Sequence, residues 1–257
     1  MIVVDDGSHE DIEAAVKGFR DDRIKYIRHP QNKGVCAARN SGIHSSQGDL
    51  IAFLDSDDEF LPEKLEKQVE TFQNLDKDTA LVTTNLFESK NRGPCYVPEQ
   101  VNSAYVTPAI FPATVFSPPS AWMLLRKCVD QVGYFDENMA VNEDADYYVR
   151  ILEKYRIYYL NQALSIKTPS FDRKGHYSEK YFSGKELFLK KHLLKMKKSR
   201  RYLSRFYFCL GKDYLNANKV VEAQKPFLNA FLASFRLSYF LKYLQTVLAL
   251  KGEKWVR

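Results

Sequence analysis

Apolar and polar positions in the first third of the chain alternate between short β-branched runs and longer mixed segments. Ile2 to Val4 is apolar and runs into Asp5-Asp6-Gly7-Ser8, which predicts a buried strand ending in a turn. A helix is expected from about Glu10 to Phe19, then a short strand over Ile24–Arg28 closed by His29-Pro30. The polar loop Gln31–Gly34 leads into a helix over Val35–Ser45. Gly48-Asp49 breaks the chain before a strand at Leu50–Leu54, and Pro62 opens a helix reaching about Leu75. Strand and helix thus alternate three times, the rhythm of a parallel sheet wrapped by helices, and Ala80–Asn85 supplies a further strand.

Beyond it, Lys90–Pro119 is rich in Pro, Asn and Ser and reads as a long surface excursion of the kind that carries function. Ala121–Leu125 is apolar again, Gly133–Asp136 is a turn, and Glu143–Tyr155 has helical spacing. Short strands are expected at Ile157–Leu160 and Ala163–Lys167. From Gly184 the chain becomes helical, basic and aromatic, which divides it into a domain at 1–183 and an extension at 184–257. Within the extension, Tyr207, Leu210, Gly211, Tyr214, Ala223, Phe227 and Ala230 fall on a spacing that resembles one tetratricopeptide repeat, with Phe235 where that repeat has Pro. One repeat cannot bury its own face, so a helical hairpin continued by a helix near Leu237–Leu250 is expected.

Composition sharpens this division. The 257 residues are 45% apolar, enough for a real core. Cys36, Cys95, Cys128 and Cys209 form no CxxC pair, which argues against a disulfide framework and a zinc site and points to a reducing, cytosolic compartment. The N-terminus has no signal pattern, and no apolar run reaches the ~18 residues that a bilayer requires. The net charge of +6 is uneven: residues 185–257 carry 17 Lys and Arg against 4 Asp and Glu, while residues 1–184 carry a net −7. Opposite signs imply a cation, or a cation-bridged anion, for the first part and an anionic surface for the second. Lys190, Lys191, Lys195, Lys197, Lys198, Arg200, Arg201 and Arg205 form a dense basic run suited to anionic lipid headgroups. No nucleic-acid-binding module is recognisable around it.

The acids Asp55, Asp57, Asp58 and Glu59 sit at the end of an apolar strand. Capping of the helix after Pro62 accounts for one or two of them. An EF-hand fails because its sixth position would be Phe60 where Gly is required, and a strand precedes it where a helix should. A metal-assisted nucleotide site fits better. Open α/β sheets bind ligands at the carboxyl ends of strands, and alternating carboxylates can serve a ribose and a hard cation that bridges a diphosphate.

Four segments carry a wider resemblance. IVVDDGS at Ile2–Ser8, NKGVCAARNSGI at Asn32–Ile43, GDLIAFLDSDDEFLPEKL at Gly48–Leu65 and GYFDENMAVNEDADYYVRI at Gly133–Ile151 occur in the order and approximate spacing of the family 2 inverting glycosyltransferases, over about residues 1–170. The resemblance implies a GT-A fold: a mostly parallel α/β sheet flanked by helices, here with an α-helical extension. It also implies a divalent cation, Mn or Mg, and transfer of a sugar from a nucleotide-diphospho-sugar donor. By the same resemblance Asp5 and Asp6 face the nucleotide base, Arg39 and Asn40 line the nucleotide pocket, and Asp55 and Asp57 are the DxD pair. Asp57 and Asp55 would then hold the metal with His176 as a third ligand or phosphate contact, and Asp144 would be the general base. Chemically, an inverting transfer needs one carboxylate to take the acceptor's proton and a cation at the leaving diphosphate.

The chain departs from the family pattern in two places. The strand and helix with which the family usually begins are absent before Ile2, which would leave the first strand short of one neighbour; a start upstream of Met1 is the expectation. No QxxRW-type segment follows Asp144, so a non-processive enzyme is expected, adding single sugars to a saccharide or lipid-linked acceptor in surface-polysaccharide assembly. The competing expectation is an inactive relative that binds partners through its helical tail.

Overall fold

The strand expected at the start of the chain forms as β1, Ile2–Asp5, and pairs in parallel with β2, Lys25–Arg28. Helix α1, Ile12–Gly18, connects them, capped by the Asp11 carboxylate, which accepts from the Ala14 amide at 3.0 Å. Helix α2, Val35–Ser45, forms over the expected residues and buries Cys36, Ala37, Asn40 and Ile43. This computed structural model describes residues 1–89, 102–106, 117–168 and 177–250. They fall into two compact units, one on each side of residues 169–176.

In the first unit a six-stranded sheet holds the core. Its strands are β3 (Leu50–Ala52), β4 (Glu59–Phe60), β5 (Thr79–Glu88), β6 (Ala104–Tyr105), β7 (Trp122–Leu125) and β8 (Arg156–Lys167), in the order β3-β7-β5-β8-β4, with β6 pairing β8. Mixed α/β architecture is therefore observed, but this sheet is not mostly parallel: β5 and β8 run parallel, while β7 opposes both β3 and β5, and β4 and β6 oppose β8. The difference lies in β7, which follows directly on the 3-10 turn Pro119–Ala121 and runs against both of its neighbours. Among the described residues β1 and β3 are each paired on one side only.

The two short strands expected at 157–160 and 163–167 are one strand. Leu160 pairs with Thr84 and Ala163 with Asn85, so Asn161 and Gln162 are an exposed bulge within β8. β5 is central and buried from Thr79 to Leu86, and its polar members find partners: Thr83 bonds Ser117, and Thr84 donates to the Ala121 carbonyl at 3.4 Å. Against the sheet pack α3 (Lys64–Gln73), α4 (Arg126–Val132, not expected from the sequence) and α5 (Glu143–Leu152). Trp122, Tyr147, Tyr148, Leu124, Ile151 and Ile157 form the dry centre of this core, each large apolar side chain contributing on the order of 2 kcal/mol.

An unusual feature of α3 is what it buries. Lys64 and Gln68 are fully buried; the Lys64 ammonium donates to Gln68 Oε1, and Gln68 Nε2 donates to the carbonyls of Val82 at 2.9 Å and Ala121 at 3.1 Å. Burial without a carboxylate lowers the Lys64 pKa from 10.5 to about 7.

The second unit is helical: α6 (Glu179–Met196), α7 (Arg200–Asn216), α8 (Val220–Ser234) and α9 (Leu237–Leu250). Gly184, read from the sequence as the start of this region, lies inside α6, whose N-cap is Ser178. Phe182 stacks on Tyr214 at 4.1 Å between α6 and α7. Gly211 on α7 abuts the Phe227 ring of α8 so closely that a Cβ there would sit 2.8 Å from it. At the end of α8, Phe235 adopts a left-handed conformation (φ 55°) and so turns the chain where the sequence pattern called for Pro. No helix among the described residues is long and apolar enough to cross a membrane.

Candidate active site

The carboxyl end of β3 delivers Phe53 into the core and Asp55 to the surface of it. The Asp55 amide donates to Ser120 Oγ at 3.0 Å, and the Asp58 amide donates to the Asp55 carbonyl at 3.0 Å, closing a tight acidic turn. Its carboxylates therefore part company. Asp55 meets Arg39, Asp57 is exposed and makes no hydrogen bond or ion pair among the described residues, and Asp58 is buried. Asp58 Oδ1 accepts from the Thr168 amide at 3.1 Å while Oδ2 has no partner among the described residues. Burial pushes the Asp58 pKa up, offset in part by the Ser120 hydroxyl and the Thr168 amide.

Arg39, one turn into α2, is the hub. Its Nη2 donates to Asp55 Oδ1 at 2.7 Å and its Nη1 to Glu143 Oε1 at 3.0 Å, while its guanidinium lies 5.4 Å from the centroid of Phe135. Desolvation works against the buried cation, and the two carboxylates outweigh it, so its pKa is raised. One side chain thereby ties the end of β3 to the start of α5 from residues 16 and 104 positions away.

At that helix start Asn142 holds a left-handed conformation (φ 61°), which Asn tolerates better than most residues, and it places Glu143 and Asp144 in the first turn. Asn142 makes no side-chain cap; Asp144 Oδ1 instead accepts from the Ala145 amide at 2.7 Å. Burial, then the neighbouring Glu143 charge, push the Asp144 pKa from 3.8 up to about 7, against the opposing pull of the Ala145 amide, Arg39 and Lys167. A carboxylate so poised is suited to accept a proton near neutral pH. Asp146, the third acid of this turn, is fully buried against Arg150 Nε at 2.8 Å and serves the fold.

The other expected residues are engaged elsewhere. Asp5 is buried and accepts from Tyr26 Oη and the Ser8 amide, both at 2.7 Å; the Tyr26 hydroxyl leads in lowering its pKa to about 2. Asp6 binds His29 Nδ1 at 2.6 Å and accepts from the amides of Lys33 at 2.9 Å and Gly34 at 2.7 Å, so it braces the loop before α2. Burial pushes the Asp6 carboxyl up, and these three partners outweigh it to leave its pKa lowered. Asn40 is buried, donating to the Phe135 carbonyl at 3.0 Å and to Glu137 at 2.9 Å and accepting from the Phe135 amide at 3.0 Å. The structure thus brings Arg39, Asp55 and Asp144 together but turns Asn40 into the 135–137 turn. His176 lies outside the described residues, as does most of the Lys90–Pro119 excursion.

Sequence reasoning did not single out Glu143 as the partner of Arg39, Ser120 as the anchor of Asp55, or the burial of Asp58. As for a metal, no group of three or more His, Cys, Asp or Glu suited to holding one occurs among the described residues. Asp57 and the second oxygen of Asp55 nonetheless fit a hard cation of the kind that keeps several waters and completes its shell with ligand phosphates, using one or two carboxylates.

Comparison with known proteins follows the same lines. The family model described as Glycosyl transferase family 2 matches residues 1–133. An uncharacterized glycosyltransferase of Bacillus subtilis, YwdF, is 37% identical over 139 residues, covering 52% of this chain and 50% of its own. Escherichia coli WcaA, provisionally named a colanic acid biosynthesis glycosyl transferase, is 29% identical over 209 residues, covering 75% of this chain and 70% of its own. The chain spans about a quarter to a half of the length of the first curated relatives it matches. Among solved structures, Staphylococcus aureus TarS 1-349 superposes with a TM-score of 0.67 at 16% identity, covering 100% of this chain and 83% of its own. TarS 1-349 is also known in complex with UDP and with UDP-GlcNAc. These neighbours share the GT-A fold expected from the sequence.

Proposed function

The chain belongs to glycosyl transferase family 2, and from that premise we propose that it transfers a single sugar, with inversion, from a nucleotide-diphospho-sugar to an acceptor hydroxyl. The observation that carries this reading is the Arg39 bridge, which gathers the acids at the end of β3 and the start of α5 around one buried cation beside Asp144. Asp144 takes the proton of the acceptor hydroxyl as its oxygen bonds to the anomeric carbon, and the nucleoside diphosphate departs with the electron pair of the broken C–O bond. Asp57, with the free oxygen of Asp55, would hold a divalent cation, Mg or Mn, which supplies charge neutralisation for the departing diphosphate. Arg39 positions Asp55 and Glu143, and the Glu143 charge strengthens Asp144 as a base.

Asp6 acts on the nucleotide side mainly by shaping the 29–34 loop, and Asp5 by holding Tyr26 and the turn at Ser8. The UDP and UDP-GlcNAc bound by TarS support a nucleotide-sugar donor, and the name of WcaA supports polysaccharide assembly, with a saccharide or lipid-linked acceptor. Non-processive action at the inner face of the cytoplasmic membrane completes the reading. Calorimetric titration of the full chain with UDP, GDP and dTDP sugars, with and without Mn²⁺, tests it. Metal-dependent binding is expected for at least one donor and is lost in Asp57→Ala. Absence of any such binding in the intact chain would overturn the catalytic reading in favour of an inactive, partner-binding relative.

A further inference from the structure

The helical unit holds a concavity built entirely from its own residues. It has a volume of about 310 Å³ and is lined by Arg201, Arg205, Phe208, Cys209, Lys212, Arg236 and Tyr239. On α7 the first five fall at intervals of four, three, one and three residues and so share one helical face. The left-handed Phe235 then turns the chain to bring Arg236 and Tyr239 against that face. Phe208 and Tyr239 stack at 4.4 Å, and the Arg236 guanidinium lies 5.8 Å from the Tyr239 ring.

Four cations and no acid line this cavity. All four side chains are exposed, and none makes an ion pair or side-chain hydrogen bond among the described residues. The same unit does pair cations where it has acids to do so: Lys185 lies 3.8 Å from Asp213, and Lys219 bonds Glu179. Like charges gathered without counterions repel one another, and a multiply charged anion relieves that repulsion. Guanidinium forks match phosphate oxygens in pairs, and a concavity at the lower end of the ~300–1,000 Å³ range of ligand sites admits more than a single phosphate. We propose that this cavity is a binding site for a phosphate-bearing group, a diphosphate or phosphodiester, built on residues other than those assigned to the nucleotide-sugar. Both a soluble phosphate compound and a lipid headgroup present that chemistry.

Cys209 supplies the reporter, because it is exposed in the cavity whereas Cys36 and Cys128 are buried. The full chain carrying Cys95→Ser would be alkylated with N-ethylmaleimide, an uncharged reagent, and the rate at Cys209 read by mass spectrometry. The additions are inorganic pyrophosphate, sodium chloride of equal ionic strength, phosphatidylglycerol vesicles, or phosphatidylcholine vesicles. Pyrophosphate is expected to slow alkylation where chloride does not, and Arg205→Ser with Arg236→Ser to raise the concentration required at least about tenfold. Protection by pyrophosphate alone assigns a soluble source; protection by phosphatidylglycerol but not phosphatidylcholine assigns a headgroup, and either supports the site. No protection from pyrophosphate or phosphatidylglycerol, equal protection by chloride, or protection unchanged in the double variant overturns it. The chloride comparison needs no variant, so the test survives a double variant that folds badly.

Discussion

Asp144→Asn is expected to make the protein more stable and catalytically silent at once. In the folded chain burial and the Glu143 charge hold Asp144 protonated to a higher pH, its pKa rising from 3.8 to about 7. The folded state therefore binds more protons than the unfolded state across that window, so stability falls as pH rises from about 4 to about 7 and stays reduced above it. A rise of that size corresponds to about 4 kcal/mol at most. Because the side chain is only partly buried from solvent, screening reduces this to about 2 kcal/mol. Asn keeps an oxygen for the Ala145 amide and cannot ionise, so it escapes the cost. Urea unfolding of wild type and variant at pH 4.5 and pH 8, followed by tryptophan fluorescence, measures the effect. A variant advantage that grows from small at pH 4.5 to about 2 kcal/mol at pH 8 supports the reasoning. An advantage that is equal at both pH values, or absent at pH 8, refutes the claim that Asp144 is a strained base.

Other expectations follow from the same structure. Lys64→Met should flatten the pH dependence of stability: a lysine whose pKa falls from 10.5 to about 7 on folding makes the wild type gain about 2 kcal/mol relative to the variant between pH 7 and 9, which urea midpoints at the two pH values would show. Equal slopes for the two proteins would mean that Lys64 is not neutral when buried. Gly211→Ala should loosen the α7–α8 hairpin, since a Cβ would sit 2.8 Å from the Phe227 ring; overpacking of about 1–3 kcal/mol exceeds the roughly 1 kcal/mol gained in helix propensity. Thermal unfolding followed by far-UV circular dichroism would detect it, and an unchanged or raised midpoint counts against the close packing.

Much of the fold was legible because local punctuation and periodicity agree there. Val35–Ser45 is bounded by Gly34 and the Ser-Gln-Gly break, and its helix forms where the pattern places it. The polar Asn161-Gln162 pair lies between the two strands expected at 157–160 and 163–167, and a bulge accommodates those residues without ending the strand. Nothing in the local pattern marks Lys64 and Gln68 for burial, which the carbonyls of Val82 and Ala121, far off in sequence, make tolerable. In the candidate site the acids were visible as a motif, whereas the Arg39–Glu143 pair spans 104 positions and no local signal announces it. Likewise the basic run predicted from sequence ends at Arg205, and the hairpin adds Lys212 and Arg236 to its face.

The Lys64–Gln68 pair also sets how this helix can change over generations. Loss of the lysine leaves one buried amide oxygen without a donor, whereas loss of the glutamine takes the acceptor from the buried Lys64 amine and a donor from each of the Val82 and Ala121 carbonyls. Position 68 should therefore stay fixed while position 64 drifts, and a change at 68 should be found only in company with changes at 64 and in the side chains that face Val82 and Ala121. A set of related sequences aligned over α3 would carry that asymmetry as a record of which bonds the core cannot spare.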